Sequence, residues 1–390
     1  MTQLRMLTAG ESHGPCLTVV IDGVPAGLKL LAEDIDAELA RRQKGYGRGG
    51  RMKIEHDRAQ IDAGVRGGET LGSPVSLRIE NRDFANWAGR MGAAPFDAPP
   101  EPVTLPRPGH ADLTGALKYD RHDMRDVLER ASARETAARV GAGAVARVLL
   151  RALGVQIASR VVAIAGIADE GAYAPGDVIA ARERLDASAL RCMDAAHEAR
   201  MRETIMALSH AGDTAGGVIE VVAVGAPAGL GSHVQWDRRI DARIAAAMVS
   251  VPAIKAVEIG DGWHAATLPG SRVHDPIGYD PASRRFTRES NHAGGVEGGM
   301  TNGEPVVVRA AMKPLATLRA ALPSTDVRTK LSAPAAVERS DVCAVPAAGV
   351  VLEAMLAWVL ACAVLEKFGG DSMRELLGAL GAHRERLEAF

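Results

Sequence analysis

The sequence predicts one large mixed α/β domain that spans residues 1–390. Strand-like and helix-like apolar patterns alternate irregularly, and no period typical of a solenoid or a propeller appears. Apolar residues make up 47% of the chain and charged residues 24%, as expected for a globular protein with a large core. No linker rich in serine, proline or charge divides the chain, and we expect residues 154–215 to form a peripheral excursion from this single domain.

Short apolar patterns define the first elements. Residues 17–22 are predicted to form a buried strand, and residues 76–80 alternate like a second strand. Residues 34–43 predict an amphipathic helix because their apolar side chains recur one turn apart. Residues 92–109 are rich in proline, glycine and alanine, which predicts a loop.

Longer elements follow in the second part of the chain. Residues 131–153 predict a long helix of small residues, with Ser132 as its N-cap. Glu135, three residues later, would complete a capping box. Residues 218–224 and 305–311 predict two further strands, separated by a long glycine-rich stretch.

One segment, residues 350–368, has roughly the length and apolar character of a membrane span. Asp341 precedes it where basic anchors would be expected, and Gly369 and Gly370 end it, so a buried core helix is the favoured interpretation. The apolar run at the N-terminus is too short for a signal peptide. A net charge of −2 gives no overall attraction to nucleic acid or anionic membranes, and we expect a cytoplasmic protein.

The histidines and cysteines argue against a metal site. The four cysteines lack C-x-x-C spacing, and no two histidines have the i, i+4 spacing of a helical zinc site. Two histidines are instead candidates for acid–base chemistry: His13, between two glycine-flanked turns, and His110, in a Pro-Gly turn beside Arg107. The alternative is a purely structural role, which is the more common one for a lone histidine.

The N-terminal run Gly10-Glu-Ser12-His13-Gly14 matches the G-x-S-x-G pattern of serine hydrolases. That motif requires a helix after the serine, whereas Pro15 and a strand-like run follow here. A serine hydrolase built on Ser12 is therefore the less favoured of the alternatives.

A glycine-arginine loop at residues 45–50 matches the G-x-G-x-x-G pattern. A helix precedes it where the dinucleotide-binding fingerprint needs a strand, so that interpretation is weak. Two interpretations remain: a loop that presents Arg42, Arg48 and Arg51 to an anion, or a solvated basic loop without a ligand.

The start of the long predicted helix offers a second anion site. Free N–H groups at a helix start bind phosphate well, and Arg130 and Arg134 flank Ser132 there. An ordinary capped helix with a solvated face is the alternative, and these residues alone do not decide between the two.

Taken together, several long and unusual motifs closely resemble those of the chorismate synthase family. The resemblance runs from about residue 8 to residue 353. The motifs that carry it, in chain order, are Gly10-Glu-Ser-His-Gly14, Arg107-Pro-Gly-His110-Ala-Asp112, Arg130-Ala-Ser-Ala-Arg-Glu-Thr136, Ser290-Asn-His-Ala-Gly-Gly295 with Gly298-Gly299, Lys313-Pro314 and Arg339-Ser-Asp341.

The resemblance implies an activity, a cofactor and a fold. The family converts 5-enolpyruvylshikimate 3-phosphate into chorismate and phosphate, in aromatic amino-acid biosynthesis, by a redox-neutral 1,4-anti-elimination that requires reduced FMN. Some members also reduce the flavin with NADPH. The implied fold is a β-α-β sandwich with helices between antiparallel sheets, assembled as a cytoplasmic homotetramer.

The resemblance also implies roles for individual residues. His13 would protonate the departing phosphate, His110 would manage the proton on the reduced flavin, and Asp341 would help the flavin accept the substrate's proton. Arg42 and Arg48 would belong to a mobile loop that meets nicotinamide nucleotide or substrate, and Arg51, Arg107 and Arg134 would bind substrate anions. The flavin contacts would be Arg130, Ala131, Ser132, Pro252, Ala253, Gly298, Lys313, Pro314, Leu315, Ala316, Thr317 and Arg339.

Two departures from the family pattern concern the cofactor site. Ser340 and Val342 replace the histidine and proline of the usual Arg-His-Asp-Pro-Cys run, so the local turn is expected to differ. The run from Lys313 to Thr317 has fewer hydroxyls than is usual, which weakens the expected phosphate contacts there. A nucleic-acid-binding module is a further alternative, which the net charge of −2 and the 3% aromatic content oppose.

Overall fold

A computed structural model describes residues 4–49, 55–338 and 340–390 of the chain. The helices are α1 (Ala32–Gln43), α2 (Ala88–Met91), α3 (Asp112–Tyr119), α4 (Arg125–Ala131), α5 (Thr136–Ala152), α6 (Pro175–Ala180), α7 (Arg182–Ala187), α8 (Ala195–Ala211), α9 (Ile240–Val249), α10 (Gly262–Ala265), α11 (Val345–Phe368) and α12 (Met373–Glu388). The strands are β1 (Arg5–Ala9), β2 (Cys16–Asp22), β3 (Ala59–Ala63), β4 (Val65–Arg66), β5 (Glu69–Thr70), β6 (Val75–Glu80), β7 (Gln156–Ile164), β8 (Ile167–Ala168), β9 (Gly217–Val224), β10 (Ile254–Ile259), β11 (Ile277–Asp280), β12 (Arg285–Arg288), β13 (Val296–Glu297), β14 (Met300–Thr301), β15 (Val306–Met312), β16 (Pro323–Thr325) and β17 (Ser332–Pro334).

Two antiparallel sheets enclose a layer of helices. One sheet has the strand order β1-β2-β6-β3, and the other has the order β10-β15-β9-β7-β8. Helix α5 packs on the first sheet, α11 packs on the second, and the two helices pack on each other. The expected mixed α/β fold, a β-α-β sandwich, is therefore confirmed.

The core of the first sheet follows from strand alternation. Leu17 pairs with Ile79, and Val19 pairs with Leu77, and all four side chains are fully buried. Side chains two residues apart in a strand share a face, so these pairs form one apolar layer beneath α5. The strands predicted at 17–22 and 76–80 are confirmed with one added residue at the start of each.

Helices α5 and α11 approach each other closely at Gly143. A Cβ atom built there would lie 2.4 Å from the Cβ of Ala354, so a side chain at this position would force the helices apart. The abundance of small residues that predicted the long helix thus has a packing reason. The same contact brings the start of α11 beside the start of α5, where the cavity described below lies.

Helix α11 confirms the expectation of a buried core helix. It is long and apolar enough to cross a bilayer by length and composition, yet its most apolar stretch is wholly buried within the fold. In α11 the side chains from Val359 to Val364 are all at most 8% exposed. Packing by the second sheet and by α1, α5 and α9 accounts for its apolar character.

The start of the long helix differs from the prediction. Helix α4 ends at Ala131, Ser132 is extended, and α5 begins only at Thr136 after a short 3-10 turn. Ser132 caps that turn by accepting a hydrogen bond from the Arg134 amide (3.3 Å), while Glu135 pairs with Arg139. The predicted capping box is therefore wrong, because Glu135 is drawn to a cation one turn along α5.

Residues 154–215, which were expected at the periphery, also contribute to the five-stranded sheet. Strand β7 pairs with β9 over its length and lies inside the five-stranded sheet. In the part that follows, α6 and α7 pack on β7 and β9 around a second, smaller apolar core. Burial of Ser159 and Arg160 in β7 shows why alternation failed here, since polar side chains occupy core positions of the strand.

Candidate active site

A cavity of about 540 Å³ opens where α1, α4, the start of α5, the start of α11 and the segment after β15 converge. Its size is in the range of sites for small molecules and cofactors. The residues predicted for the site that line this cavity are His13, Arg42, Arg48, Arg107, His110, Ala131, Ser132, Arg134, Pro252, Ala253, Lys313, Leu315, Ala316, Thr317 and Asp341.

Some predicted site residues lie elsewhere. The guanidinium of Arg130 donates to the carbonyl oxygens of Gly10 (3.0 Å) and Thr8 (2.9 Å), so it ties α4 to the first strand. Gly298 lies in the turn between β13 and β14, away from the cavity lining. Pro314 also lies outside that lining. Arg51 and Arg339 lie outside the described residues.

Positive charge dominates the polar part of the cavity wall. Among the described residues, five cationic side chains line the cavity, namely Arg42, Arg48, Arg107, Arg134 and Lys313. The carboxylates among the lining residues are Glu338 and Asp341. This excess of cations favours an anionic ligand, because an anion lowers the cost of keeping the cations out of water.

Arg42 carries this excess most clearly. Its Nε donates to Thr136 Oγ1 (2.9 Å) and one Nη donates to the Ala133 carbonyl (2.9 Å), while Asp57 lies 3.6 Å from the other Nη. Burial lowers the pKa of this guanidinium to about 10, since the attraction of Asp57 does not outweigh burial and the repulsion of nearby arginines. An anion in the cavity would offset the cost of burying this charge.

Arg134 is fixed rigidly at the floor of the cavity. It donates to Asp57 Oδ1 (2.6 Å) and to Asn81 Oδ1 (2.8 Å) and is almost completely buried. A carboxylate already neutralises part of its charge. Its contribution to ligand binding is therefore mainly to hold Asp57 and the start of α5 in place.

His13 is held by Glu129 of α4. Its backbone amide donates to Glu129 Oε2 (2.8 Å), and its Nδ1 lies 2.9 Å from the same oxygen. Burial favours a higher pKa for Glu129, but hydrogen bonds from His13 and Arg125 outweigh it and lower the pKa. An ionised carboxylate only accepts hydrogen bonds, so Nδ1 carries the hydrogen and Nε2 is the nitrogen that can exchange a proton with a ligand.

His110 has the same arrangement with a different carboxylate. Its Nδ1 lies 2.5 Å from Asp112 Oδ1, and Arg107 donates from Nε to Asp112 Oδ2 (2.9 Å). These hydrogen bonds outweigh burial and hold the pKa of Asp112 well below its usual range. Arg107 also donates to Thr317 Oγ1 (2.8 Å), which joins the Pro-Gly turn to the cofactor segment predicted at 313–317.

Asp341 holds the glycine-arginine loop against the cavity. Its Oδ1 accepts from the Gly49 amide (2.6 Å), and its Oδ2 lies 3.3 Å from Arg48 Nε. The Val342 amide donates to the Gly47 carbonyl (2.8 Å), so the loop and the segment after β17 form one wall. Lys313 donates to the Gly109 carbonyl (2.6 Å), which links the segment after β15 to the Pro-Gly turn.

The remaining wall is apolar and made of small side chains. Pro252, Ala253 and Leu315 come from the segments beside β10 and β15, and Ala347 and Val351 come from the first turns of α11. Ala253 has φ of 70°, a conformation that costs energy for a residue with a Cβ atom. Its carbonyl accepts from the Lys313 amide (2.9 Å), which holds the two segments together despite that strain.

Sequence reasoning missed four residues around the histidines. Glu129 and Asp112 bind the imidazoles, Trp87 stacks on His13, and Glu338 pairs with Arg125. Asp112 could have been noticed, because it follows His110 by two residues. Trp87 and Glu129 are 74 and 116 residues from His13 in the chain, and only the fold brings them together.

The serine-hydrolase alternative is not supported. The turn at Ser12 is followed by strand β2, whereas a nucleophile elbow needs a helix there. Ser12 is buried with its amide bonded to the Glu129 carbonyl (3.0 Å). Among the residues that the structure describes, no group of three histidine, cysteine or acidic side chains is arranged to hold a metal ion.

Comparisons with known proteins agree with the geometry. The family model described as chorismate synthase matches residues 4–365. Chorismate synthase from Trichlorobacter lovleyi is 56% identical over 380 residues, covering 96% of both chains, and that from Geobacter sulfurreducens is 55% identical, covering 99% of this chain and 100% of the relative. A crystal structure of chorismate synthase matches with a TM-score of 0.81 and 43% identity, over 100% of this chain and 99% of that one. This chain belongs to the chorismate synthase family.

Proposed function

We propose that this enzyme converts 5-enolpyruvylshikimate 3-phosphate into chorismate and inorganic phosphate, with reduced FMN as cofactor. The observation that carries the proposal is the cavity in which five cationic side chains meet two carboxylate-held histidines. The substrate brings two carboxylates and a phosphate, and FMN brings a second phosphate. Those four anionic groups require the excess of cations that lines this cavity.

The cavity wall fits a flavin in its chemistry. A flavin has a flat, largely apolar ring system and an anionic tail, and the cavity combines a wall of small apolar side chains with a cationic one. Pro252, Ala253, Leu315 and Ala316 would face the ring, and Lys313 would meet an anionic group. When bound, reduced FMN supplies electron density that assists phosphate loss and recovers it as the proton leaves.

The two histidines supply the proton chemistry of the chain itself. With Nδ1 fixed on Glu129, His13 can hold a proton on Nε2 and deliver it to the phosphate oxygen as the allylic C–O bond breaks. His110, fixed by Asp112, can hold a second proton at its own Nε2. Asp341, whose carboxylate accepts from the Gly49 amide, would help the flavin to accept the proton that the substrate loses.

Two roles are proposed for Arg48 of the glycine-arginine loop and for Arg42, which lies in the last turn of α1 and not in the loop predicted to present it. Arg48 closes over the substrate anions, and together with Arg42 it contacts the nicotinamide nucleotide in case the enzyme reduces its own flavin with NADPH. Both guanidiniums line the cavity, which supports a role at the anionic ligands. Arg51 is proposed to add to the substrate contacts. Arg339 and Gly298 are proposed as further flavin contacts, and Arg130 as a support of the flavin site. A homotetramer in the cytoplasm that takes neither nucleic acid nor membrane as a partner completes the proposal.

An anaerobic assay tests the function directly. Protein and 5-enolpyruvylshikimate 3-phosphate are mixed without oxygen, with a substoichiometric amount of dithionite-reduced FMN. We expect many phosphates released per flavin, with the flavin still reduced at the end, because the overall reaction is redox-neutral. Stoichiometric flavin oxidation, or equal phosphate release without flavin, would refute the assignment.

A further inference from the structure

A short segment at residues 81–87 reaches from the end of β6 to the wall of the cavity. Its first residue, Asn81, is buried and is bonded to the loop that carries His13 at three points. The Asn81 amide donates to the Pro15 carbonyl (3.0 Å), and its side-chain Nδ2 donates to the carbonyls of Gly14 (2.7 Å) and Glu11 (3.1 Å). These three hydrogen bonds therefore hold the segment against the His13 loop.

The last residue of this segment, Trp87, lies against His13. The two rings stack with centroids 4.1 Å apart and an angle of 28° between their planes. The segment between Asn81 and Trp87 forms a 3-10 helix, in which the Trp87 amide donates to the Phe84 carbonyl (2.8 Å). The guanidinium carbon of Arg125 lies 5.0 Å from the centre of the same indole ring.

Glu129 alone does not fix the orientation of the imidazole. Its hydrogen bond anchors Nδ1, which is one point of the ring. A ring anchored at one point can still tilt about that point, and a tilt moves Nε2 at the far side of the ring. Contact with a flat aromatic surface removes that freedom, because stacked rings keep their planes close to parallel.

We propose that Trp87 is a positioning residue for His13, and that it fixes the plane of the imidazole so that Nε2 points at the departing phosphate. This proposal rests on the proposed function. Asn81 places the indole, and Arg125 adds a cation on the indole that also binds Glu129 (2.8 Å) and so joins both supports of His13. Trp87 acts through His13 rather than on the reacting atoms.

Kinetics of two variants test this role. Trp87→Phe keeps a flat aromatic surface, and Trp87→Leu keeps apolar volume without one. We expect Trp87→Leu to lower kcat about tenfold with KM within about twofold, and Trp87→Phe to keep kcat within about threefold, since misorientation affects the proton transfer rather than binding. A raised KM with unchanged kcat in Trp87→Leu would show that Trp87 contacts a ligand instead, and equal kcat in all three proteins would also overturn the proposal.

A double-variant comparison separates positioning from a general structural effect. In a His13→Gln background the ring to be positioned is gone, so Trp87→Leu should lower kcat by less than about twofold further. A full tenfold loss in that background would mean that Trp87 supports the cavity in some other way. Unfolding temperatures of each variant are measured alongside to show that all remain folded.

Tryptophan emission gives a readout that needs no activity. A protonated imidazole in contact with an indole ring quenches the fluorescence of that ring, so emission is measured at about pH 6. We expect His13→Gln to raise the emission of the wild-type protein at this pH, and to have no such effect in a Trp87→Phe background. Trp236→Phe, which removes a tryptophan that is 74% exposed on the surface, is the control and should leave the rise intact.

These outcomes also distinguish the two proposals. An emission rise that persists in the Trp87→Phe background would show that the stack does not exist in solution, whatever the activity. The expected emission pattern with no phosphate release from the wild-type protein would instead leave the stack intact and refute the proposed function.

Discussion

Arg41 and Arg42 are neighbours at the end of α1, yet they face two different regions of the molecule. Arg41 points into a buried cluster around Glu353, where it also binds Glu38 and Asp186. Burial lowers the pKa of any guanidinium, but these three carboxylates outweigh it and raise the pKa of Arg41 above its ordinary value. Arg42 faces the cavity, and its pKa falls to about 10.

The difference distinguishes a structural charge cluster from a binding site. Both oxygens of Glu353 are occupied, by Arg41 (2.8 Å) and Arg147 (2.5 Å) on one side and by Arg191 (2.9 Å) and Ser159 (2.7 Å) on the other. That cluster contains its own counter-charges. The cavity is lined by five cationic side chains and two carboxylates, an arrangement that favours an anionic ligand.

The largest expected effect is loss of stability on breaking the Glu353 cluster. Glu353→Gln would leave the buried Arg41 and Arg191 and the half-buried Arg147 without their shared carboxylate. We therefore expect the free energy of unfolding in urea to fall by about 3–5 kcal/mol. Glu366→Gln on the same helix is the matched control, because Glu366 is 41% exposed in its pair with Arg243 and should cost at most about 1 kcal/mol. Equal losses for the two variants would show that the Glu353 cluster contributes no more than a surface ion pair.

Replacement of a cavity histidine should affect turnover rather than stability. His110→Ala is expected to lower kcat about a hundredfold, the scale of a lost acid–base group, while the fold and the proposed flavin binding remain. Steady-state phosphate release and the unfolding midpoint are measured on the same preparation. Turnover within threefold of the wild type would remove His110 from the proton chemistry.

A smaller effect is expected from Arg48→Lys in the cavity loop. The charge is kept, but lysine cannot provide the paired donors of a guanidinium, so we expect KM for the substrate to rise about tenfold. Arg58→Lys is the control, since Arg58 is exposed and pairs with Asp36. If KM does not change in Arg48→Lys, Arg48 is a loop residue without a role at the substrate.

The smallest expected effect is on the pH dependence of stability. Attraction from Arg41, Arg147 and Arg191 outweighs burial and lowers the pKa of Glu353 in the folded protein. The ionised carboxylate therefore stabilises the folded state fully above the unfolded pKa of about 4.3, and this contribution is lost as the pH falls below that value. The wild-type free energy of unfolding should thus fall between about pH 5 and pH 3. Glu353→Gln should show a shallower fall, and parallel curves for the two proteins would contradict this origin.

The sequence predicted regular elements well where the apolar period was regular. Strands at 17–22 and 76–80 alternate cleanly, because one face of their sheet meets the helix layer. The start of the long helix was placed five residues early, since Ser132 has the local features of an N-cap but lines a cavity whose geometry depends on distant segments. Strand β7 was missed because its buried Ser159 interrupts the apolar pattern. Ser159 donates a hydrogen bond to Glu353, which is 194 residues away in the chain.

The motifs predicted the residues of the site, but they did not predict the residues that hold those side chains in place. His13, His110 and Asp341 stand in short runs that resemble a known family, and the fold brings all three to one cavity. The partners that fix them, such as Glu129 and Trp87, are single residues without a local pattern. Contacts of this kind depend on tertiary packing, which neither composition nor periodicity encodes.

One binding measurement tests the central claim that the cationic side chains of the cavity bind an anionic ligand. Calorimetry compares 5-enolpyruvylshikimate 3-phosphate with the same compound lacking the 3-phosphate, on the flavin-loaded protein at fixed salt concentration. Charge-assisted hydrogen bonds to phosphate predict binding of the phosphorylated compound that is about 10- to 100-fold tighter, with the difference shrinking as salt is added. Equal affinities that do not respond to salt would contradict the account.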